Sequence, residues 1–441
     1  MNKERVFMSS NISRRNFLKS STSISIATML ASSGRLFAAG SDKIKIGIIG
    51  CGGRGSGAIR DCLSSSQNVE LIAMADLFED KIKTCLNAIQ TQDLHEPAAN
   101  LKDKINVTPE MMFTGFDAYK KILATDIDLV ILTTQPAFRP IHLKAAIEAG
   151  KHVFMEKPVA VDPVGVRSVI ESSKLAKDKN IAIVAGTQRR HQPSYLEIIR
   201  RLKDGQIGDV LGGQIYWVGG DVAGWGFFNE PKPEWSEMET QCRNWYFYVW
   251  GSGDAIVEQH VHNIDIANWV MGTHPIKAYG MGGRQVRTDP KFGNIWDHFA
   301  VEFEYPGGVR IQSFCRQTDG CTENVSERFV GTKGSSYTDG GTNKIEGAIS
   351  YKYENSDPSP YLLEHRDLIA SIRAGNPLNE GERVAESTMA GILGRMSAYT
   401  GRAINWDWAM NASKLDLSPA KYEFGPLPVP PVAMPGITKL I

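Results

Sequence analysis

Short apolar runs alternate with amphipathic stretches over the first third of the chain. "KIKIGIIG", Lys43 to Gly50, is isoleucine-rich and ends in glycine. That texture predicts a strand buried on both faces. "VELIAMAD" (Val69–Asp76), "DLVILTTQP" (Asp128–Pro136) and "KHVFMEKP" (Lys151–Pro158) repeat it. Helical stretches lie between them, one of them "HLKAAIEAG", closed by a glycine stop. Strands alternating with helices over about 120 residues predict an α/β fold with a parallel, doubly wound sheet. "DPVGVRSVIESSKLAKDKN" continues as helix, and "IAIVAGTQRRHQPSY" as strand then loop. From about Leu211 the pattern changes to period two. "DVLGGQIYWVGG", "DHFAVEFEYPGGVRIQSFCRQ" and "SERFVGTKGSSYTDGG" alternate apolar and polar positions between glycine turns. This is antiparallel-sheet patterning. "YLLEHRDLIASIRAG" and "VAESTMAGILGRMSAYTG" return to helix, and "PLPVPPVAMPG" is extended. The expected organisation is a first domain over 41–165, a second over 166–405 and a Pro-rich tail over 406–441. The tail is expected to pack on a surface or on a neighbouring subunit.

The length, 441 residues, suits two or three domains with sizeable cores. Lysine plus arginine equals aspartate plus glutamate, 49 each. No strong field therefore favours nucleic acid or a membrane surface as partner. Past the leader no stretch of about eighteen apolar residues exists, so no transmembrane helix is expected. The leader itself is informative. "SRRNFLK", Ser13 to Lys19, precedes the weakly apolar "SSTSISIATML" and the small residues of "FAAG". Residues 1–40 read as a twin-arginine export signal, cleaved after Ala38 or Ala39. The expected location is the periplasm, reached as a folded protein with any cofactor already loaded. Six cysteines show no C-x-x-C pair and no zinc spacing, and Cys315 and Cys321 are the nearest pair.

After the first strand, Gly50, Gly52 and Gly55 fit G-x-G-x-x-G and open a helix. Gly50 allows the tight turn, Gly52 lets the backbone approach a pyrophosphate, and Gly55 permits close helix–strand packing. Gly53 and Arg54 lie in the same loop. Asp76 ends the second strand, where a carboxylate accepts hydrogen bonds from a ribose and repels a 2′-phosphate. NAD is favoured over NADP, and Arg54 keeps NADP open.

"VEQHVHNIDIANWVMG", Val257 to Gly272, concentrates chemistry in an apolar segment. At about 100° per residue Glu258, His262, Asp265 and Trp269 share one helical face, and His260 points elsewhere. A metal site, an acid/base pair and a satisfied polar patch are all compatible with that spacing. Glu258 and His262 have the i, i+4 spacing of two metal ligands, but His260 lies off their face, and no metal is expected.

"GIIGCGGRGSG", "AGKHVFMEKP" and "VEQHVHNIDIANW" occur in order and at fitting separations. Together they resemble the Gfo/Idh/MocA oxidoreductases, the glucose–fructose oxidoreductase and inositol dehydrogenase family, from about Lys43 to about Trp406. The resemblance implies an N-terminal Rossmann domain that binds NAD and a C-terminal α/β domain with a large, mostly antiparallel sheet. Substrate would lie between that sheet and the nicotinamide. The lysine of E-K-P is a catalytic-site residue in the family, so Lys157 inherits that role, with Glu156 and Gln135 on the cofactor side. The family's later motif usually reads D-x-G-x-H-x-x-D. Here His262 takes the histidine position, Glu258 replaces the aspartate, and His260 replaces a glycine.

Hydride removal from a secondary alcohol needs a base for the hydroxyl proton. Histidine suits that role, and an ammonium stabilises the developing alkoxide. His262 is thus read as base, Lys157 as electrostatic partner, and Glu258 as substrate ligand or orienter of the histidine. Six of the nine tryptophans fall between Trp217 and Trp269, and indoles stack on the apolar faces of sugar rings. Arg190, Tyr195, Trp245, His260 and Asp265 are candidate substrate contacts. The partner expected is a small carbohydrate, and the family sheet suggests a homo-oligomer, dimer or tetramer. Three activities fit: oxidation of a sugar or glycoside, for instance at C3, on a tightly held cofactor; a redox-neutral glycosidase of the family 109 type; or a sugar-binding relative without turnover. The retained E-K-P favours the first.

Overall fold

The computed structural model describes residues 43–91 and 101–441, so the expected export signal lies outside the described residues. Six parallel strands form the first sheet: β1 (Ile44–Ile49), β2 (Val69–Asp76), β3 (Met112–Thr114), β4 (Leu129–Leu132), β5 (His152–Met155) and β6 (Ile183–Ala185). Their spatial order is β3-β2-β1-β4-β5-β6, so the strand order reverses beside β1. Ile48 of β1 sits opposite Met74 of β2 on one side and Ile131 of β4 on the other. Helices cover both faces, so every residue of β4 is buried, as the continuous apolar run requires. The sheet reaches past residue 165. A parallel pair needs a long crossover, and the helix Pro163–Asp178 is the crossover that carries the chain from β5 to β6.

The second sheet contains β7 (Val210–Gly219), β8 (Lys277–Gly283), β9 (His298–Glu304), β10 (Arg310–Gln317), β11 (Asn324–Gly331), β12 (Gly334–Asp339), β13 (Asn343–Gly347), β14 (Tyr351–Lys352) and β15 (Ile404–Asn405). The order is β14-β13-β12-β11-β7-β10-β9-β8-β15. Only β7 and β10 run parallel within it. The helices Val261–Met271 and Gly381–Thr400 pack on one face. Gly394 makes the close approach possible, because a Cβ there would lie 3.1 Å from both Ile256 and Phe303. The other face carries Tyr279 and Met281, 52% and 58% exposed.

Two late segments return to the first domain. The helix Pro360–Arg373 places Leu368, Ile369 and Ile372 in the same core as Ile46, Ile48 and Val184. The tail begins as a short helix, Trp406–Asn411, and then runs extended over its own chain. All six cysteines are unpaired thiols, and Cys321 alone of them is exposed. Among the described residues no helix is long and apolar enough to cross a membrane.

Candidate active site

The glycine loop leaves β1 at its carboxyl end and enters the helix Gly53–Ser65. Gly50 has φ +103°, and a Cβ there would lie 2.5 Å from the backbone nitrogen of Thr134. A Cβ at Gly55 would lie 2.0 Å from the Gly50 carbonyl oxygen, so only glycine lets helix and loop meet. A Cβ at Gly52 or Gly53 would meet nothing within 4 Å. No side chain caps the helix start. The loop therefore offers a bare backbone and free N–H groups to an anion.

Asp76 is anchored beside this loop. Its carboxylate accepts from the backbone N–H groups of Cys51 at 2.6 Å and Phe78 at 2.9 Å. Burial raises its pKa, and those two donors pull the other way. Its remaining lone pairs suit a ribose diol and repel a phosphate. Arg54 does not offset that charge. Its Nε donates to Glu156 Oε1 at 2.6 Å, and its guanidinium lies 4.8 Å over the Tyr361 ring, so it is drawn to the β5 side of the loop. Gln135 donates to the Cys242 carbonyl at 2.7 Å, while its Oε1 is buried without a partner. Bare glycines, anchored carboxylate and orphaned amide oxygen fit a dinucleotide with an unphosphorylated ribose.

Lys157 emerges at the end of β5. Its Nζ donates to the Glu258 carbonyl at 2.7 Å and to Glu258 Oε1 at 3.1 Å. The pair is largely buried, and Glu258 Oε2 has no partner. Glu258 ends a short helix, Ala255–Glu258, capped by Asp254 at φ +74°. The chain then breaks at Gln259 and His260 before the helix Val261–Met271 starts. The continuous helical face expected over this segment is thus two pieces. His262 lies in the first turn of the second piece. Its ring lies 5.6 Å from the Trp217 indole at 22°. The described residues give its ring nitrogens no hydrogen-bond partner, and neither nitrogen is sealed from the cleft. Burial, then Lys157, then Arg189 hold its pKa well below the usual value. The ring is neutral at neutral pH and free to accept a proton.

Other expected contacts are placed differently. Asp265 makes no hydrogen bond to His262. It accepts from Arg190 Nε at 2.7 Å, from Arg383 Nη1 at 3.1 Å and from Ser387 Oγ at 2.7 Å. Burial alone would raise its pKa, but the two guanidiniums hold it below the carboxylate range. Arg190 is therefore committed to Asp265 and lies 4.3 Å over the Trp269 ring. Tyr195 is buried, and its hydroxyl donates to Glu327 at 3.2 Å. His260 is fully buried and shares a 2.7 Å hydrogen bond with Ser313 Oγ. Burial pushes its pKa down to about 3, so it packs as a neutral core side chain. Trp245 is half-buried and meets Phe227 edge-on at 6.1 Å. Among the described residues no three histidine, cysteine or carboxylate side chains are grouped to hold a metal.

Arg189, not Arg190, reaches the cleft. Its Nη1 pairs with the buried Glu327, and its guanidinium lies 5.8 Å over the Trp217 ring that also meets His262. Its other nitrogens carry no protein partner and are not sealed off. Nothing in "QRRH" separates the two arginines, because the choice depends on Asp265 and Glu327, distant in sequence. Asp265→Asn is expected to cost about 3–5 kcal/mol of stability, by leaving the largely buried Arg190 guanidinium without its carboxylate. Chemical denaturation measures the loss. A large rise in KM with unchanged stability would instead put Asp265 on the substrate.

The fold and site define a two-domain, dinucleotide-binding α/β protein whose cleft joins a glycine loop to a lysine and a neutral histidine. Residues 44–187 match the oxidoreductase family with an NAD-binding Rossmann fold, and residues 195–337 match the GFO/IDH/MocA C-terminal domain. The chain belongs to the Gfo/Idh/MocA oxidoreductase family. An inositol 2-dehydrogenase of Serratia proteamaculans is 29% identical over 268 residues, which span 61% of this chain and 66% of that enzyme. An inositol 2-dehydrogenase of Klebsiella pneumoniae is 28% identical over 168 residues, 38% of this chain and 44% of that enzyme. The chain thus spans just under two thirds, or less, of these relatives. The fold is shared with scyllo-inositol dehydrogenase of Lactobacillus casei, solved with NAD(H) and scyllo-inositol, at a TM-score of 0.62 and 18% identity over 82% of this chain and 99% of that one. Aldose–aldose oxidoreductase of Caulobacter crescentus aligns with the same TM-score, 0.62, at 18% identity over 82% and 99% of the two chains.

Proposed function

We propose that this protein is an NAD-dependent oxidoreductase acting on a secondary hydroxyl of a sugar, polyol or glycoside. The observation that carries the reading is the meeting of Lys157 with Glu258 beside a neutral, unpartnered His262, at the carboxyl edge of a dinucleotide-type sheet. The dinucleotide, held by the glycine loop and Asp76, supplies hydride acceptance when bound. His262 takes the hydroxyl proton. The Lys157 ammonium donates to the same oxygen and stabilises its alkoxide character. Glu258 aims the ammonium, and its free Oε2 accepts from a neighbouring hydroxyl. Trp217 offers an apolar face to the ring, and Arg189 offers donors to its hydroxyls.

The dehydrogenase names of the matched relatives support the reaction class, and the aldose–aldose oxidoreductase fold relative supports sugars as a substrate class. We further propose export to the periplasm, on the strength of the "SRRNFLK" leader. There the dinucleotide stays bound, and a second carbonyl compound reoxidises it in the same cleft. A homo-oligomer is also proposed, and the exposed Tyr279 and Met281 on the open sheet face are the side chains such an interface would cover. The test is a screen of inositols, monosaccharides and glycosides against the protein with its native cofactor, read by product mass. Product two mass units lighter, formed with reduced cofactor, supports the reading. Aglycone release at constant cofactor redox state would replace it with the glycosidase.

A further inference from the structure

The tail beyond Asn411 follows an unusual route. Ser413 Oγ donates to the carbonyl of Ile441 at 2.6 Å, so the two ends of the segment meet. Between them the tail crosses the carboxyl edge of the parallel sheet. The Leu417 N–H donates to Asp162 at 2.8 Å, in the segment after β5. The Tyr422 ring lies 5.4 Å from Phe138, which follows β4. The Phe424 ring lies 5.2 Å from Phe116, after β3, and 6.0 Å from Phe78, two residues beyond β2 and Asp76. Open α/β sheets bind their ligands at this edge.

The tail then grips the second domain. Gly425 accepts from the Met238 N–H at 3.1 Å, and the Leu427 N–H donates to Glu237 at 2.6 Å. Those residues open the helix Glu237–Arg243, whose far end lies on the first domain. Arg243 stacks 3.8 Å over the Phe78 ring, and the Cys242 carbonyl accepts from Gln135 at 2.7 Å. Farther on, Asn294 and Trp296 donate to the carbonyls of Pro430 and Ala433, at 3.2 and 3.1 Å. Phe78, Phe138, Met238, Tyr246 and Trp250 share one apolar cluster, with Leu417, Tyr422 and Leu427 packed on it.

We propose that residues 412–441 are a strap that holds the two domains closed over the dinucleotide, so that the cofactor is retained between turnovers. This rests on the NAD-dependent reading above. Opening the cleft along the adenosine side requires the strap to leave Phe78 and Phe116 and the helix Glu237–Arg243 to lift from Gln135. The strap is held by hydrogen bonds, by Leu417 and Leu427, and over the adenosine side by two aromatic side chains, one of them Phe424, 47% exposed. It can therefore be weakened without touching the residues that face the reacting atoms.

The experiment compares wild type, the double variant Tyr422→Ala/Phe424→Ala, and a chain ending at Asn411. Each is purified, mixed with excess isotopically labelled NAD and desalted, and released cofactor is analysed by mass. Exchange at least about tenfold faster in the double variant, with its circular dichroism spectrum unchanged, supports the strap. Equal exchange rates in wild type and double variant overturn it, whatever the shortened chain does. Dinucleotide freely taken up and exchanged within seconds by wild type also overturns the strap and leaves the NAD-dependent reading standing. A wild-type protein that neither carries nor takes up dinucleotide overturns both.

Discussion

His262→Asn lowers turnover by about 10²–10⁴-fold, the usual contribution of a positioned acid/base group. The asparagine keeps polarity and much of the volume beside Trp217 but removes the group that takes the proton. Cofactor content stays at the wild-type level, because the substitution leaves the glycine loop and the anchored Asp76 intact. The wild-type pH profile carries the sign. His262 is held below its ordinary pKa by burial, Lys157 and Arg189. The base form therefore persists below the ordinary histidine pKa of about 6.5, and kcat/KM falls only on acidification beyond it. A profile that already falls between pH 8 and 7 would assign the base to another group. The same sign applies to stability. A histidine with a depressed folded pKa contributes stability above about pH 6.5 that is lost as pH falls, because the unfolded chain takes up the proton first. His260, pushed down to about 3, acts in the same direction.

Lys157→Met lowers kcat by about 10²–10³-fold, the scale for removing one donor from a developing oxyanion. Single-turnover reduction of the bound cofactor, followed by absorbance, isolates the step. The substitution also strips Glu258 of its cation, so Lys157→Met/Glu258→Gln separates the two effects. If charge on the reacting oxygen is what Lys157 stabilises, the double variant regains stability but not rate. Rate recovery in the double variant would make the lysine a structural counterion only. In the proposed mechanism Glu258 is a positioning residue through its contact with Lys157, and its Oε2 is left without a protein partner and available to a substrate hydroxyl.

Much of the first domain was legible because a doubly wound sheet writes its pattern locally. Each buried strand is a continuous apolar run, and each turn carries its own punctuation. "KIKIGIIG" becomes β1, "VELIAMAD" becomes β2, and Gly50 and Gly55 are glycines for the steric reasons their spacing suggested. Asp76 could be placed for the same reason, since its position follows from the end of one strand. The period-two pattern after Leu211 likewise announced a largely antiparallel sheet, though not which strands pair. β7 and β10 run parallel although most of their neighbours do not, a choice set by chain crossings far apart in sequence.

The substrate side was less legible. Asp265 shares a face with Glu258 only if the helix runs unbroken, and Gln259 and His260 interrupt it. Asp265, in the same second piece as His262, pairs instead with Arg190 and Arg383, from separate segments of the chain. His260, in place of the glycine usual in the family motif, found a partner in Ser313 on β10 and packed into the core. Tyr195 went to the buried Glu327.

The line between the two kinds of knowledge follows contact distance along the chain. Dinucleotide chemistry and strand alternation are properties of short segments, because strand burial, helix starts and glycine turns depend on neighbours a few residues away; the roles of Lys157 and His262 rest on the family resemblance and belong to the proposed function. Which arginine faces the cleft, and that the last thirty residues contact both domains, depend on partners 75 to 255 positions distant. Those partners meet only when burial forces charged groups to find counterions and loose ends to find surfaces, and that is settled by the packed molecule.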